Sequence, residues 1–336
     1  MPGLTLAVSF LNPKARAWKG GHVKGDKRTP DCESVSLDGR YPLVVPVMSA
    51  AGGVGRSTVA ALLAVGLHQR TTDSKDRAVA LCDCQPRCAS PWPGWLDHTA
   101  EHGTSWLAAC AAEQFGREVR RSTSAIEVPG GRPMWVLTDS GPLAGGFAGA
   151  DPGPLAWTPV MRYLRAAVID ADPLEGFRLA RQQASGDMST AAAWMALPSV
   201  RTAAVWVTDT SPAGMARTLE AMTAAEACGL PMRQVVIAVN DCRGHGWLAR
   251  SRSRRTLLAD RVGAIVDIGH DAALRRDDWP CRQPEQLNRR DIAALTTAVL
   301  TAADRPEASP AAAPSPLSAE RTSWHVSTPR PVPANS

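Results

Sequence analysis

No stretch of the 336-residue chain approaches the roughly 20 consecutive apolar residues that a bilayer-spanning helix needs. A cytoplasmic protein is therefore expected. The short apolar patch from Leu4 to Leu11 has no basic residues ahead of it, so a secretion signal is not expected either. Cysteine is present without a pattern. Cys82, Cys84 and Cys88 sit together, but no histidine pair at metal-binding spacing accompanies them, and the other five cysteines are scattered. Buried or free thiols in a reducing compartment are the expectation. Charge of neither sign dominates: a formal net charge of +5 permits contact with nucleic acid or an acidic surface and requires neither.

What the chain does have is a glycine-rich turn between two apolar runs. Leu43 to Met48 is apolar and β-branched enough for a buried strand despite Pro46, and Thr58 to His68 is helix-like with no breaker but Gly66. Between them runs Ala50-Ala51-Gly52-Gly53-Val54-Gly55-Arg56-Ser57. Glycines here open backbone torsions closed to other residues, so that consecutive N–H groups can turn inward and join the positive end of the following helix. A polyphosphate would be held mainly by main chain, with the Ser57 hydroxyl placed to ligand magnesium. The strict loop pattern G-x-x-x-x-G-K-[ST] is broken twice, by Ala50 at the first glycine and Arg56 at the lysine. A guanidinium is wider and more rigidly forked than an ammonium, so phosphate binding can survive this change while hydrolysis suffers.

From Ala51 to Thr58 the sequence resembles the deviant loop K-G-G-x-G-K-[ST]-T of the ParA/MinD family of partition and positioning ATPases. Gly52, Gly53, Gly55, Ser57 and Thr58 fit, whereas Ala51 and Arg56 replace its two lysines. The first of those lysines reaches the partner's nucleotide across a dimer. Further segments follow in the family's order. A strand expected over 77–82 ends in Asp83-Cys84-Gln85-Pro86, similar to D-x-D-P-Q, with Asp83 as the first acid and Gln85 in place of the second. An amide can orient a water but cannot take its proton. Ala166 to Ile169 leads into Asp170, which matches the metal-side aspartate, and Asp172 adds a carboxylate. It is read either as a water-positioning group or as a solvated loop acid. Val235 to Val239 leads into Asn240, which matches the asparagine that reads the adenine edge.

The resemblance implies a three-layer α/β/α P-loop NTPase with a mostly parallel twisted sheet over 42–303. A flexible arm over 1–41 and a disordered Pro/Ala/Ser-rich tail over 304–336 are expected around it. It implies ATP and Mg2+ as cofactors. Gly52, Gly53, Val54, Gly55, Arg56, Ser57, Thr58 and Asn240 would bind the nucleotide, Ser57 and Asp170 the metal, and Arg56 and Asp83 would serve catalysis. It also implies a homodimer, a ParB-like partner protein, and work in plasmid or chromosome partition or in intracellular positioning. The competing class is a degenerate scaffold or regulator of a secretion, pilus or conjugation apparatus, favoured by Ala51, Arg56 and Gln85.

Around Trp247 the chain gathers Arg250, Arg252, Arg254 and Arg255, read equally as a face for nonspecific DNA, with nucleoid association, or as a solvated basic helix face. Trp92, Trp95 and Trp106 are too large to expose without reason and are expected to pack a lid or a partner surface. Helices are also expected over 107–119, 158–165, 213–227 and 291–303, and strands over 134–138, 202–208 and 262–268.

Overall fold

The computed structural model describes residues 41–71, 78–86, 89–96, 123–128, 133–138, 164–172, 175–176, 179, 190–197, 200–242, 244, 247–271 and 289–305. All of them belong to the unit Val35–Ser336. Of the expected terminal arm and tail only Tyr41, Asp304 and Arg305 are described, and the helix over 107–119 and Trp106 lie outside these residues.

Strand β1 (Leu43–Ser49) is buried at every position, which is what a run apolar on both faces requires in the middle of a sheet. Eight more strands join it among the described residues: β2 (Ala78–Asp83), β3 (Thr123–Glu127), β4 (Pro133–Leu137), β5 (Leu164–Asp170), β6 (Arg201–Thr202), β7 (Ala204–Asp209), β8 (Val235–Asn240) and β9 (Ala264–Ile268). Their order is β3-β4-β2-β5-β1-β7-β8-β9, with β6 beside the start of β1. Every pairing is parallel except β3 with β4. Pro46 is tolerated in this central strand for a local reason. β1 pairs with β6 at Leu43 and Val44 and with β7 from Val47 onward, so proline falls in the gap between two ladders.

Helix α1 (Arg56–Gln69) follows the glycine turn and α2 (Trp92–Trp95) follows β2. Later come α3 (Thr190–Met195), α4 (Pro212–Ala227), α5 (Ala249–Ala259) and α6 (Arg290–Ala303). α1 and α6 pack on one sheet face in a core with Val45, Val47, Val79, Leu81, Val168 and Val205. The opposite face is covered by α4 and α5, through Met215, Met222 and Leu258 against Trp206 and Ile237, and by Trp194 of α3 against Val44 and Ile169. Alternate strand residues thus feed two helical layers, and the expected three-layer α/β/α architecture is present. Gly66 permits the close approach of α1 to α6, since a Cβ there would lie 2.1 Å from Thr296 Oγ1.

Two expectations change, and one strand was not expected. Leu164 and Arg165 open β5 instead of closing a helix, while 158–163 lie outside the described residues. The run over 202–208 is two strands broken at Ala203. β3 is an edge strand that the sequence did not announce.

Candidate functional site: a glycine loop between a cavity and a buried ion pair

The carboxyl ends of β1, β2 and β5 are brought together by register. Val47 and Asp83 both align with Asp170. The loop from Ala50 to Gly55 crosses this edge and enters α1. Gly53 and Gly55 have φ of 73° and 80°, in the left-handed region that glycine alone adopts at little cost. Gly55 is doubly constrained, because a Cβ would fall 2.2 Å from Asn240 Nδ2. As N-cap of α1 it offers no side-chain acceptor, and the first turn carries no acid. The N–H groups of that turn have no helical partners, and the dipole end favours an anion.

On the β8–β9 side the loop borders a cavity of about 380 Å³. Gly53, Gly55, Thr58, Val59 and Leu62 form one wall, Asn240 to Cys242 and Ile268 to Asp271 another, and Arg289 closes the rim. Asn240 Nδ2 donates to the Val54 carbonyl at 3.0 Å, and Cys242 Sγ does so at 3.2 Å. The asparagine therefore braces the loop while lining the cavity. Arg289 is fixed by Asp271 at 3.0 Å, by the Gly269 carbonyl at 2.7 Å and by Asp291.

On the β2–β5 side the loop meets a cluster of buried charged and polar side chains. Arg56 is 8% exposed and Asp170 fully buried. Arg56 Nε donates to Asp170 Oδ1 at 2.9 Å, and its Nη2 donates to Gln85 Oε1. Asp170 Oδ2 accepts from Gln85 Nε2 at 2.6 Å and from Trp92 Nε1 at 2.9 Å. Gln85 Nε2 also lies 3.1 Å from Ser57 Oγ. Asp83 is 1% exposed. Its Oδ2 accepts from Ser90 Oγ and Thr138 Oγ1 at 2.6 and 2.8 Å, and its Oδ1 from the Gln85 amide at 3.1 Å. Burial, helped by the charge of Asp170, pushes the Asp83 carboxyl up to about 7 against the pull of these hydrogen bonds. It is thus able to hold a proton near neutral pH.

Ser57 and Asp170 are the pair expected to hold magnesium. As arranged here they do not fit that ion. Both Asp170 oxygens are committed to N–H donors, and a guanidinium already neutralises the carboxylate. Magnesium demands six oxygen ligands in near-octahedral array, and neither Asp170 oxygen is left to provide one. Among the described residues no other group of three or more His, Cys, Asp and Glu is arranged for a metal.

The structure therefore gathers Gly53, Gly55, Thr58 and Asn240 around the cavity, and Arg56, Ser57, Asp83, Gln85 and Asp170 into the cluster. Val54 is buried and turns its carbonyl to Asn240, while Gly52 is exposed. Asp172 is 6% exposed, which removes the reading of it as a solvated acid. Trp92 belongs to the cluster and to the core, not to a lid, with Trp95 edge-on to it at 5.1 Å. Sequence reasoning missed Trp92, Ser90 and Thr138 as members, and no spacing signal links Trp92 to a carboxylate 78 positions away.

Of the four arginines read equally as a DNA face or a solvated one, Arg255 stacks on Trp247 at 4.9 Å and pairs with Asp267 at 2.6 Å, and Arg254 donates to the Pro212 carbonyl. Arg250 and Arg252 are exposed. No described helix is long and apolar enough to cross a membrane.

No protein-family model and no curated protein matches the sequence. Among solved structures, a ParA family ATPase from Chlorobium tepidum is similar with 14% identity and a TM-score of 0.50, over 79% of this chain and 97% of that one. The McdA–ATP complex of Cyanothece follows at 15% identity, 79% and 97% coverage and a TM-score of 0.49. The cell division ATPase MinD of Pyrococcus furiosus has 17% identity, 77% and 97% coverage and a TM-score of 0.48. With its parallel sheet order, glycine loop and flanking helices, this chain shares the fold of the ParA family ATPase from Chlorobium.

Proposed function

We propose that this chain is an ATP-binding protein of ParA-like fold, acting in partition or positioning through an ATP-dependent dimer, with slow hydrolysis. One observation carries the reading: a cavity of about 380 Å³ opens beside a left-handed glycine turn and an uncapped helix N-terminus. That combination suits a ligand with an anionic tail and a planar head. The tail would lie along the amides from Gly52 to Thr58 and the base near Asn240, whose remaining amide N–H and carbonyl oxygen can meet an adenine edge.

Arg56, held on Asp170, favours the second reading, a scaffold or regulator that binds nucleotide without turning it over. Exposed Arg250 and Arg252 leave a smaller basic face for DNA than four arginines would. Calorimetry with ATP and ADP tests the binding, and phosphate release with and without DNA separates the two readings. Turnover that DNA stimulates and that Ser57→Ala abolishes supports the ATPase. Tight binding with no release at any DNA concentration leaves the scaffold, and no heat with either nucleotide rejects both.

A further inference from the structure

The guanidinium of Arg56 lies on the Asp170 carboxylate, the acid that phosphate-loop chemistry assigns to a metal ion, while the Gln85 side-chain amide links that carboxylate to the Ser57 hydroxyl. It is bound there from two sides, by Asp170 Oδ1 at 2.9 Å and by Gln85 Oε1. Its Nη1 end has no partner among the described residues. We propose that Arg56 is the built-in cation of this site, so that the chain binds nucleoside di- and triphosphates without a divalent metal. The nucleotide arm of this inference rests on the proposed function, whereas its metal arm does not.

Charge balance and burial carry the argument. Asp170 is fully buried, and a buried carboxylate is tolerable only when paired and hydrogen-bonded. Arg56 supplies the pairing, and Gln85 and Trp92 supply the bonds on the other oxygen. A divalent ion entering here would have to displace the guanidinium from Asp170, and the cluster's other carboxyl is that of Asp83. That carboxyl is already filled by Ser90, Thr138 and the Gln85 amide.

Gln85 is matched to this arrangement. Its carbonyl accepts from Arg56 while its amide donates to Asp170, a bridge that a carboxylate could not make because it has no N–H to offer. A neutral bridge also suits a single positive charge, where a second carboxylate would suit a double one. The two departures at Arg56 and Gln85 therefore compensate each other.

Two measurements on the full chain decide it. Mn2+ is first titrated without nucleotide, while thermal unfolding is followed in the parent, Arg56→Ser and Arg56→Lys. In Arg56→Ser the Asp170 carboxylate loses its counter-charge, so Mn2+ should raise the melting temperature by about 4 °C or more and move the parent by less than about 1 °C. A parent shift equal to that of the variant overturns the inference. Arg56→Lys, whose shorter ammonium lacks the fork, keeps the comparison available if the serine variant does not fold.

ADP and ATP binding is then measured in EDTA and in excess Mg2+. Parent dissociation constants within about threefold of each other support the inference, and a tightening of about tenfold or more by Mg2+ overturns it. If neither nucleotide binds in either buffer, the proposed function falls and the Mn2+ titration alone judges Arg56.

Discussion

The glycine loop separates two regions that the same sheet edge builds in opposite ways. Toward β8 and β9 it borders an open cavity whose polar groups include the Asn240 amide and the Arg289 guanidinium. Toward β2 and β5, Arg56, Asp83 and Asp170 are buried and each has partners inside the protein. The first region is receptive and the second is self-satisfied. An open site costs little stability, because its groups remain hydrated. A closed ionic cluster makes each member depend on the others, since removing one leaves another desolvated without compensation. Substitutions in the cluster should therefore act mainly on folding, and substitutions at the cavity mainly on binding.

The largest expected effect is at the centre of the cluster. Asp170→Ala leaves the Arg56 guanidinium buried without a counter-ion and strips the acceptors from Gln85 Nε2 and Trp92 Nε1. A loss of roughly 3–5 kcal/mol in unfolding free energy by urea denaturation is expected. A loss below about 1 kcal/mol would mean that water reaches the pair and that the contrast between the two regions is wrong.

Asp83 gives the cluster a pH dependence of definite sign. Its carboxyl titrates near 3.8 in the unfolded chain and near 7 when folded. Below pH 4 both states are protonated and the group contributes no pH dependence. Between pH 4 and 7 the unfolded state releases its proton first, so folding stability falls with rising pH, and above 7 the loss is complete. At the limit this amounts to about 4 kcal/mol. Asp83→Asn keeps an acceptor oxygen and removes the titration, so denaturation midpoints of variant minus parent should rise between pH 4 and 7. A difference that is flat across this window would place Asp83 in contact with solvent.

At the cavity, Gly55→Ala asks a left-handed residue to carry a Cβ into the Asn240 amide. A stability loss of about 2 kcal/mol is expected together with a loss of nucleotide affinity, because the Val54 carbonyl and the Asn240 amide proposed to meet the base move together. Wild-type affinity in this variant would remove the loop from the binding site.

Much of the architecture was legible, and for a plain reason. β1, β5, β7 and β8 are uninterrupted apolar runs that only a sheet covered on both faces can bury. The loop was legible because its function is main-chain geometry, which glycines encode directly. β3 was not, because Thr-Ser-Ala-Ile-Glu on an edge buries few large side chains and resembles a loop. Arg165 was read as helical, whereas in the structure it is the residue skipped where β2 pairs first with Leu164 and then with Ala166, an irregularity set by a strand far away in sequence. The cluster was half legible. The sequence locates Arg56, Gln85 and Asp170 on the loop and strand ends, but it does not say that the guanidinium turns to an aspartate 114 positions away.

Trp92 supplies the smallest and sharpest test, because it touches the cluster through one atom while filling the core with the rest. Its ring is fully buried among the α1-side apolar residues, and Nε1 donates to Asp170 Oδ2. Trp92→Phe keeps most of the buried surface and deletes the donor. A hydrogen bond to a charged acceptor is worth about 1.5–3 kcal/mol, so a loss of roughly 2 kcal/mol is expected if the carboxylate is ionised and sealed. Asp170→Asn on the Trp92→Phe background separates the two contributions. A coupling energy near zero in this double-mutant cycle would mean that the tryptophan only fills space, whereas one above about 1 kcal/mol ties it to the buried charge.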